Sequence, residues 1–307
     1  MLRGKDKILI TGADGFLGFE IFKFLVKKYD VVGTSKKKSK IFFKLNYPKD
    51  SINKINLDNV NTVLHLASPD RQQSKQNFFK SKKINLEFTE KLIKRCVDKK
   101  VKRFIYFSSI GVYGNNLKKK VSELRKPLPN DNYSKIKYIV EKKILKKKKI
   151  NIIIIRISNI IGTPSKVSKG FRKLFLADIC LSAIEKNKII LKSDGNQFRD
   201  FLDLRILLKI ILKILKKKTY NNKNYVFNVS SGRSIKVLEV ANYVKDIMKK
   251  NFNKQINIYT GKSSNENYYE ILNNKLNKQF KINTNYNLNK TILNIIKFLY
   301  KNGKKLS

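Results

Sequence analysis

Apolar runs of strand length alternate with amphipathic stretches of helix length along the first half of the chain. Lys7-Ile8-Leu9-Ile10 predicts a short buried strand. Phe16 to Lys28 follows, with Phe16, Leu17, Ile21, Phe24 and Leu25 at helical spacing. Val31-Val32-Gly33 predicts a second strand, Ile41-Phe42-Phe43 a third and Thr62 to Leu66 a fourth. A helix from about Asn77 to Val97 leads to a fifth strand, Arg103 to Phe107. A helix from Tyr133 to about Lys148 leads to a sixth, Asn151 to Ile157. Strands covered on both faces read as continuous apolar runs, and these do. The alternation predicts an α/β fold with a Rossmann-type doubly wound parallel sheet. After Gly162-Thr163-Pro164 the pattern loosens. A helix over about Phe171 to Lys186, a short strand at Ile189 to Leu191 and the run Tyr225 to Val229 predict a smaller α+β lobe. The expected division is 1–162 and 163–307, with the segment of about 199–218 able to pack back on the first domain.

Composition changes the picture little. The formal net charge of +47 over 307 residues suggests a nucleic-acid ligand. However, lysine is spread from end to end, and asparagine and isoleucine are equally over-used. All three have A/T-rich codons, so we attribute the bias to a coding sequence of low G+C content, which its base composition would test. The lysine runs fall between periodic segments or at helix ends and read as solvated faces, so no specific nucleic-acid partner is expected. The two cysteines, Cys96 and Cys180, have no metal spacing, and one histidine cannot build a His-rich site, so no metal is expected. Lys5-Asp6-Lys7 leads straight into a short apolar run, and Ile152 to Ile155 is too short to span a bilayer. A soluble cytoplasmic protein without membrane insertion is expected.

Between the first strand and first helix lies Thr11-Gly12-Ala13-Asp14-Gly15-Phe16-Leu17-Gly18. Gly12 permits a tight turn, Gly15 lets a pyrophosphate approach the backbone, and Gly18 lets the helix pack closely. Amides at the helix N-terminus then face the phosphates, which predicts NAD(P) binding by Gly12, Gly15, Phe16, Leu17 and Gly18. An acid at the end of the second strand would bind the adenosine ribose. Here the strand runs into Thr34-Ser35-Lys36-Lys37-Lys38 instead. The Ser35 hydroxyl and Lys36 ammonium suit a 2′-phosphate, which favours NADP slightly over NAD.

Tyr133 and Lys137 lie one turn apart on a helix face. An ammonium beneath a phenol favours the phenolate, which can exchange a proton with a sugar hydroxyl. Ser109, at the end of the fifth strand, offers a hydroxyl to steady a reacting oxygen.

With these motifs in order, the chain resembles an extended short-chain dehydrogenase/reductase of the NAD-dependent epimerase/dehydratase family, the group that includes UDP-glucose 4-epimerase. The resemblance covers nearly the whole chain. It implies that His65-Leu66-Ala67 lies against the cofactor, that Asn85 sits near the nicotinamide ribose, and that Ser108-Ser109 with Val112-Tyr113-Gly114 forms the active-site serine strand. It makes Tyr133, Lys137 and Ser109 the catalytic centre, with Ser108, Tyr133 and Lys137 also against the cofactor. Ser109, Asn159 and Arg199 become substrate contacts, Arg199 at the nucleotide's phosphates, and the C-terminal lobe becomes substrate-binding. His65 is expected to serve packing and backbone placement more than proton transfer, and Asp200 and Asp203 to hold local structure.

The resemblance implies a nucleotide-sugar substrate, a homodimer through two long helices per subunit, and a place in polysaccharide biosynthesis. Sugar 4,6-dehydratases of the family carry an Asp-Glu or Ser-Glu pair where this chain has Ile110-Gly111, which argues against dehydration. A 4-epimerase, which returns the hydride to the opposite face of a keto-sugar, is favoured. An NADPH-dependent 4-ketoreductase is the alternative, and a non-catalytic NAD(P)-binding protein a third reading.

Overall fold

The continuous apolar runs become the strands of one sheet. The computed structural model describes residues 6–115, 117–217, 224–263 and 268–302. In chain order the elements are β1 (Lys7–Thr11), α1 (Phe16–Leu25), β2 (Asp30–Ser35), β3 (Phe43–Lys44), β4 (Val60–His65), α2 (Arg71–Gln76), α3 (Phe78–Asp98), β5 (Arg103–Ser109), β6 (Lys119–Val121), α4 (Asn132–Ile144), β7 (Asn151–Ile157), β8 (Asn159–Ile161), α5 (Lys169–Arg172), α6 (Phe175–Lys186), β9 (Lys188–Ile190), β10 (Phe198–Asp203), α7 (Leu204–Lys216), β11 (Tyr225–Val229), β12 (Ser234–Lys236), α8 (Val237–Phe252), β13 (Asn257–Tyr259), β14 (Tyr269–Ile271), α9 (Asn274–Phe280) and α10 (Leu288–Asn302). Among the described residues no helix is long and apolar enough to cross a membrane.

Two units divide the chain. The first comprises 1–115, 125–157 and 212–227; the second comprises 116–124, 158–211 and 228–307. The boundary expected at 162 falls at 157, because β8 pairs with β10 rather than extending β7 in the central sheet. Of the segment expected to pack back, only the part from Leu212 onward belongs to the first unit; Lys218 lies outside the described residues.

The first unit holds a seven-stranded sheet in the order β11-β7-β5-β4-β1-β2-β3. Strands β1 to β5 and β7 pair in parallel. Ile8 to Ile10 and Ile152 to Ile155 are fully buried, as expected for strands covered on both faces. The strand order reverses at β1 and β4, so their carboxyl ends open the crevice in which such sheets bind ligands. Several elements differ from the expected ones. The third strand shifts to Phe43–Lys44, because Ser39 Oγ accepts the amides of Ile41 and Phe42 and holds a turn there. Helix α4 stops at Ile144 rather than about Lys148, since Asn224 Nδ2 donates to the carbonyls of Leu145 and Lys147. Helix α7, which the sequence analysis does not assign, runs from Leu204 to Lys216.

The second unit contains the expected mixture of helix and strand. Parallel β8–β10 and antiparallel β10–β12 form a three-stranded sheet. Two-stranded pairs β9–β13 and β6–β14 accompany it, and α6, α8 and α10 pack on one another.

Candidate active site

Gly12 turns the chain out of β1 with φ +71°, and a Cβ there would lie 2.9 Å from the Ala67 amide nitrogen. A Cβ on Gly18 would lie 2.2 Å from the Gly12 carbonyl oxygen, so α1 can rest on the loop only through glycine. Helix α1 starts after Gly15 with no side chain capping it, and the positive end of a helix suits an anion. Gly12, Gly15, Ser35, Lys36, Leu66, Ala67 and Asn85 line a cavity of about 360 Å³ at the carboxyl ends of β1, β2 and β4. Phe16 and Leu17 are half-buried behind this lining. Asn85 is buried, donates to Ser68 Oγ at 3.0 Å, and leaves its Oδ1 without a partner. A glycine cradle, a helix N-terminus and a spare buried acceptor together fit a dinucleotide.

A larger cavity of about 1030 Å³ opens at the other end of the strands, among Lys100, Lys102, Arg103 and Lys149. Its buried guanidinium is already committed. Arg103 Nη1 donates to the carbonyls of Leu215 and Lys217 at 2.8 and 2.9 Å, which caps α7.

His65 is fully buried and does not line the cleft. Thr89 Oγ donates to the Asn85 carbonyl at 2.7 Å, so it must accept the proton of His65 Nε2 at 3.0 Å. Nδ1 is then the acceptor for Thr11 Oγ at 2.7 Å, and Thr11 Oγ in turn accepts the Ala67 amide at 3.3 Å. The ring thus ties β1, β4 and α3 together beneath the glycine loop, because its neighbours use both nitrogens. Burial pulls its pKa down to about 3, with Lys137 adding to the effect. The folded state therefore holds it neutral. Stability is full above the unfolded value of 6.5 and falls as pH drops from there toward about 3. As the only histidine, His65 is expected to show no change in its ring NMR shifts between pH 5 and 8; a midpoint near 6.5 would contradict the buried network.

Residues along a strand alternate faces, and this separates Ser108 from Ser109. Ser108, expected at the cofactor, turns away and donates to Glu141 Oε1. Glu141 also receives Arg156, with Nη2 at 2.6 Å and Nε at 3.2 Å from Oε2, and Arg156 Nη1 donates to the Tyr113 hydroxyl at 2.9 Å. The Arg156 and Glu141 side chains are 6% and 0% exposed. Burial disfavours the guanidinium charge, but Glu141 and Tyr113 override it and raise the Arg156 pKa above the usual range.

Ser109 Oγ accepts the Gly111 amide at 3.1 Å. Helix α4 starts at Asp131, which takes the Ser134 amide on Oδ1 and the Ser134 hydroxyl on Oδ2. This cap sets the first turn and brings Tyr133, half-buried, above Lys137. Lys137 is 2% exposed; its Nζ donates to the Phe107 carbonyl at 2.8 Å and lies 5.6 Å from the Tyr133 ring centre. Burial raises the Tyr133 phenol, and Arg71 opposes it. Burial also brings Lys137 down to about 7 despite Glu141.

In the second unit, Asn159 Nδ2 donates to the Asp200 carbonyl at 2.8 Å and so joins β8 to β10. The Arg199 guanidinium lies 5.0 Å from the Phe175 ring centre. Asp200 accepts the Ser231 and Gly232 amides, and Asp203 accepts Arg205 and Thr291. Both acids hold local structure. Arg71, Asp131 and Glu141 belong to none of the sequence motifs. Tyr133, Lys137 and Glu141 recur every four residues on one face of α4, a signal that could have revealed Glu141.

The family model for the NAD dependent epimerase/dehydratase family matches residues 8–230. An uncharacterized UDP-glucose epimerase of Bacillus subtilis, YtcB, is 26% identical over 78% of this chain and 82% of its own length. The ADP-L-glycero-D-manno-heptose-6-epimerase of Brachyspira hyodysenteriae is 27% identical over 79% and 81%. The crystal structure of UDP-glucose 4-epimerase from Thermotoga maritima with UDP-glucose shares the fold, with a TM-score of 0.81 and 19% identity over 98% of this chain and all of that one. The chain belongs to the NAD dependent epimerase/dehydratase family, as the order of its motifs anticipates.

Proposed function

We propose that this family member is an NAD(P)-dependent nucleotide-sugar epimerase, acting at C4 of the sugar through Tyr133, Lys137 and Ser109. The observation that carries the reading is the α4 cap, which brings Tyr133 and Lys137 together beside the β5 end where Ser109 lies. The loop of Gly12 and Gly15 with the start of α1 would hold the dinucleotide's pyrophosphate, Ser35 and Lys36 its adenosine end, and Asn85 with Lys137 its nicotinamide end. When bound, the nicotinamide supplies reversible hydride acceptance from a sugar carbon. Tyr133 takes the proton from the sugar hydroxyl and returns it, and Ser109 Oγ hydrogen-bonds the reacting oxygen. Asn159 and Arg199 are proposed substrate contacts, Arg199 at a phosphate, for which a planar guanidinium is suited. A homodimer is proposed with this reading, which the solution mass would test.

The identities of YtcB and of the Thermotoga enzyme support a UDP-sugar as substrate. At Gly111 a Cβ would already lie 2.5 Å from Ser134 Oγ, leaving no room for the acid that dehydration uses in related enzymes. Incubation with UDP-sugars and no added cofactor is expected to yield the epimer. Lack of any epimer, with NADPH consumed by a 4-keto-sugar nucleotide, would favour the reductase reading. That second reading draws on Ser35 and Lys36 in the cleft and on the lack of an acid at the end of β2. The same residues favour NADP over NAD; tighter NAD binding by cofactor-stripped protein would overturn that preference.

A further inference from the structure

We propose that Arg71 is a positioning residue for proton transfer: its guanidinium, held over the Tyr133 ring by Asp131, supplies the permanent positive charge that favours the Tyr133 phenolate. The proposal rests on Tyr133 being the group that exchanges the proton. The Arg71 guanidinium carbon lies 5.0 Å from the Tyr133 ring centre, and Nη1 is 3.0 Å from Asp131 Oδ2. Both ends of this arrangement are built into helix caps. Asp70 and Gln73 form a reciprocal capping box that fixes the start of α2, of which Arg71 is the first residue. Asp131 is itself the cap of α4. The space above Ser109 is kept open by Gly111, where a Cβ would lie 3.3 Å from both Arg71 Nη2 and Ser109 Oγ. The guanidinium therefore sits beside the hydroxyl pair that a sugar would meet.

Lys137, whose Nζ lies 5.6 Å from the ring centre, can share this task only while it is charged. Its ammonium points at the Phe107 carbonyl, and burial brings it to about 7, so it loses its charge as pH rises toward the range where phenols ionise. A guanidinium keeps its charge throughout. The other groups around Tyr133 have defined signs. Asp131 and Asp70 push the phenol up and Arg71 pulls it down. Tyr106 on β5 lies beneath Lys137, whose Nζ is 4.8 Å from the Tyr106 ring centre, and Glu141 faces Lys137 from the next turn of α4. Arg71 is thus a nearby cation that opposes burial of the phenolate and keeps its charge at every pH. An opposite charge at 4–6 Å lowers a pKa by about one to three units.

The test compares wild type with Arg71→Gln and Arg71→Lys, each as the full chain with bound cofactor. Arg71 is 62% exposed in its side chain, so the fold should tolerate both changes. In Arg71→Gln the acid limb of the kcat/KM profile is expected to move up by about one to two pH units. The value at pH 7 should fall about tenfold or more and recover at alkaline pH, while Arg71→Lys keeps most of the limb in place. The ultraviolet tyrosinate titration that disappears in Tyr133→Phe should shift by the same amount, a readout that needs no turnover. An unmoved limb and an unmoved tyrosinate midpoint in Arg71→Gln would overturn the proposal, as would a loss of activity equal at all pH values. Turnover retained by Tyr133→Phe would remove the premise, a result distinct from any behaviour of the Arg71 variants.

Discussion

Tyr133→Phe is expected to lower turnover by about 10²–10⁴-fold, the usual contribution of a positioned acid–base group, while folding and cofactor binding stay near wild type. Only a hydroxyl is lost. The ring that packs between Arg71 and Lys137 remains, with both cations still able to lie over its face. Because the glycine loop, the end of β2 and Asn85 that line the cleft are untouched by the change, dinucleotide affinity should change little. Steady-state kinetics on a UDP-sugar, with a dinucleotide titration and a thermal melt of the same sample, would decide it. A variant that keeps more than about a tenth of wild-type turnover would show that the proton moves through another group.

Glu141→Ala is expected to cost about 3–5 kcal/mol of stability, the range for removing one partner of a buried ion pair. The Arg156 guanidinium would lose its carboxylate while staying buried between β7 and α4, with the Tyr113 hydroxyl as its remaining side-chain acceptor. Ser108 would lose its acceptor as well. Glu141→Gln keeps the shape and one acceptor oxygen, so its loss should be smaller. Urea midpoints of the three proteins would measure this, and a loss below about 1 kcal/mol for the alanine variant would mean that the pair is solvated, as surface pairs are. The effect should also reach the site. Glu141 opposes the burial of Lys137, so its removal should carry the lysine further below about 7.

These two predictions draw on different levels of the chain. Tyr133 and Lys137 are legible in sequence because a helix repeats every 3.6 residues, and positions four apart must share a face. The cofactor loop is legible for a similar reason. Gly18 is demanded by the Gly12 carbonyl six residues away and Gly12 by its own φ of +71°, although the close approach of Ala67 to Gly12 comes from the segment after β4. By contrast, Glu141 and Arg156 are fifteen residues apart on a helix and a strand, and nothing in their local context marks them as partners. Arg71 and Asp131 are further apart still, and in a chain with 69 lysines and arginines one more cation carries no signal until its distance to a ring is known. Ser108 and His65 show the opposite limit. Their place in the motif is legible, but whether a side chain faces the cleft or the interior depends on the strand's facing and on which neighbours take its polar atoms.

What the sequence by itself determined is therefore the α/β class, the order of the sheet-forming runs, the glycine loop between β1 and α1 and the shared face of Tyr133 and Lys137, all of which follow from short-range periodicity and backbone sterics. Only the tertiary structure decided that His65 is a neutral strut, that Ser108 belongs to the Glu141–Arg156 network, and that the Arg71 guanidinium lies over the Tyr133 ring. The physical reason is that electrostatics and desolvation depend on distance and burial in space. Packing sets both, between segments far apart along the chain.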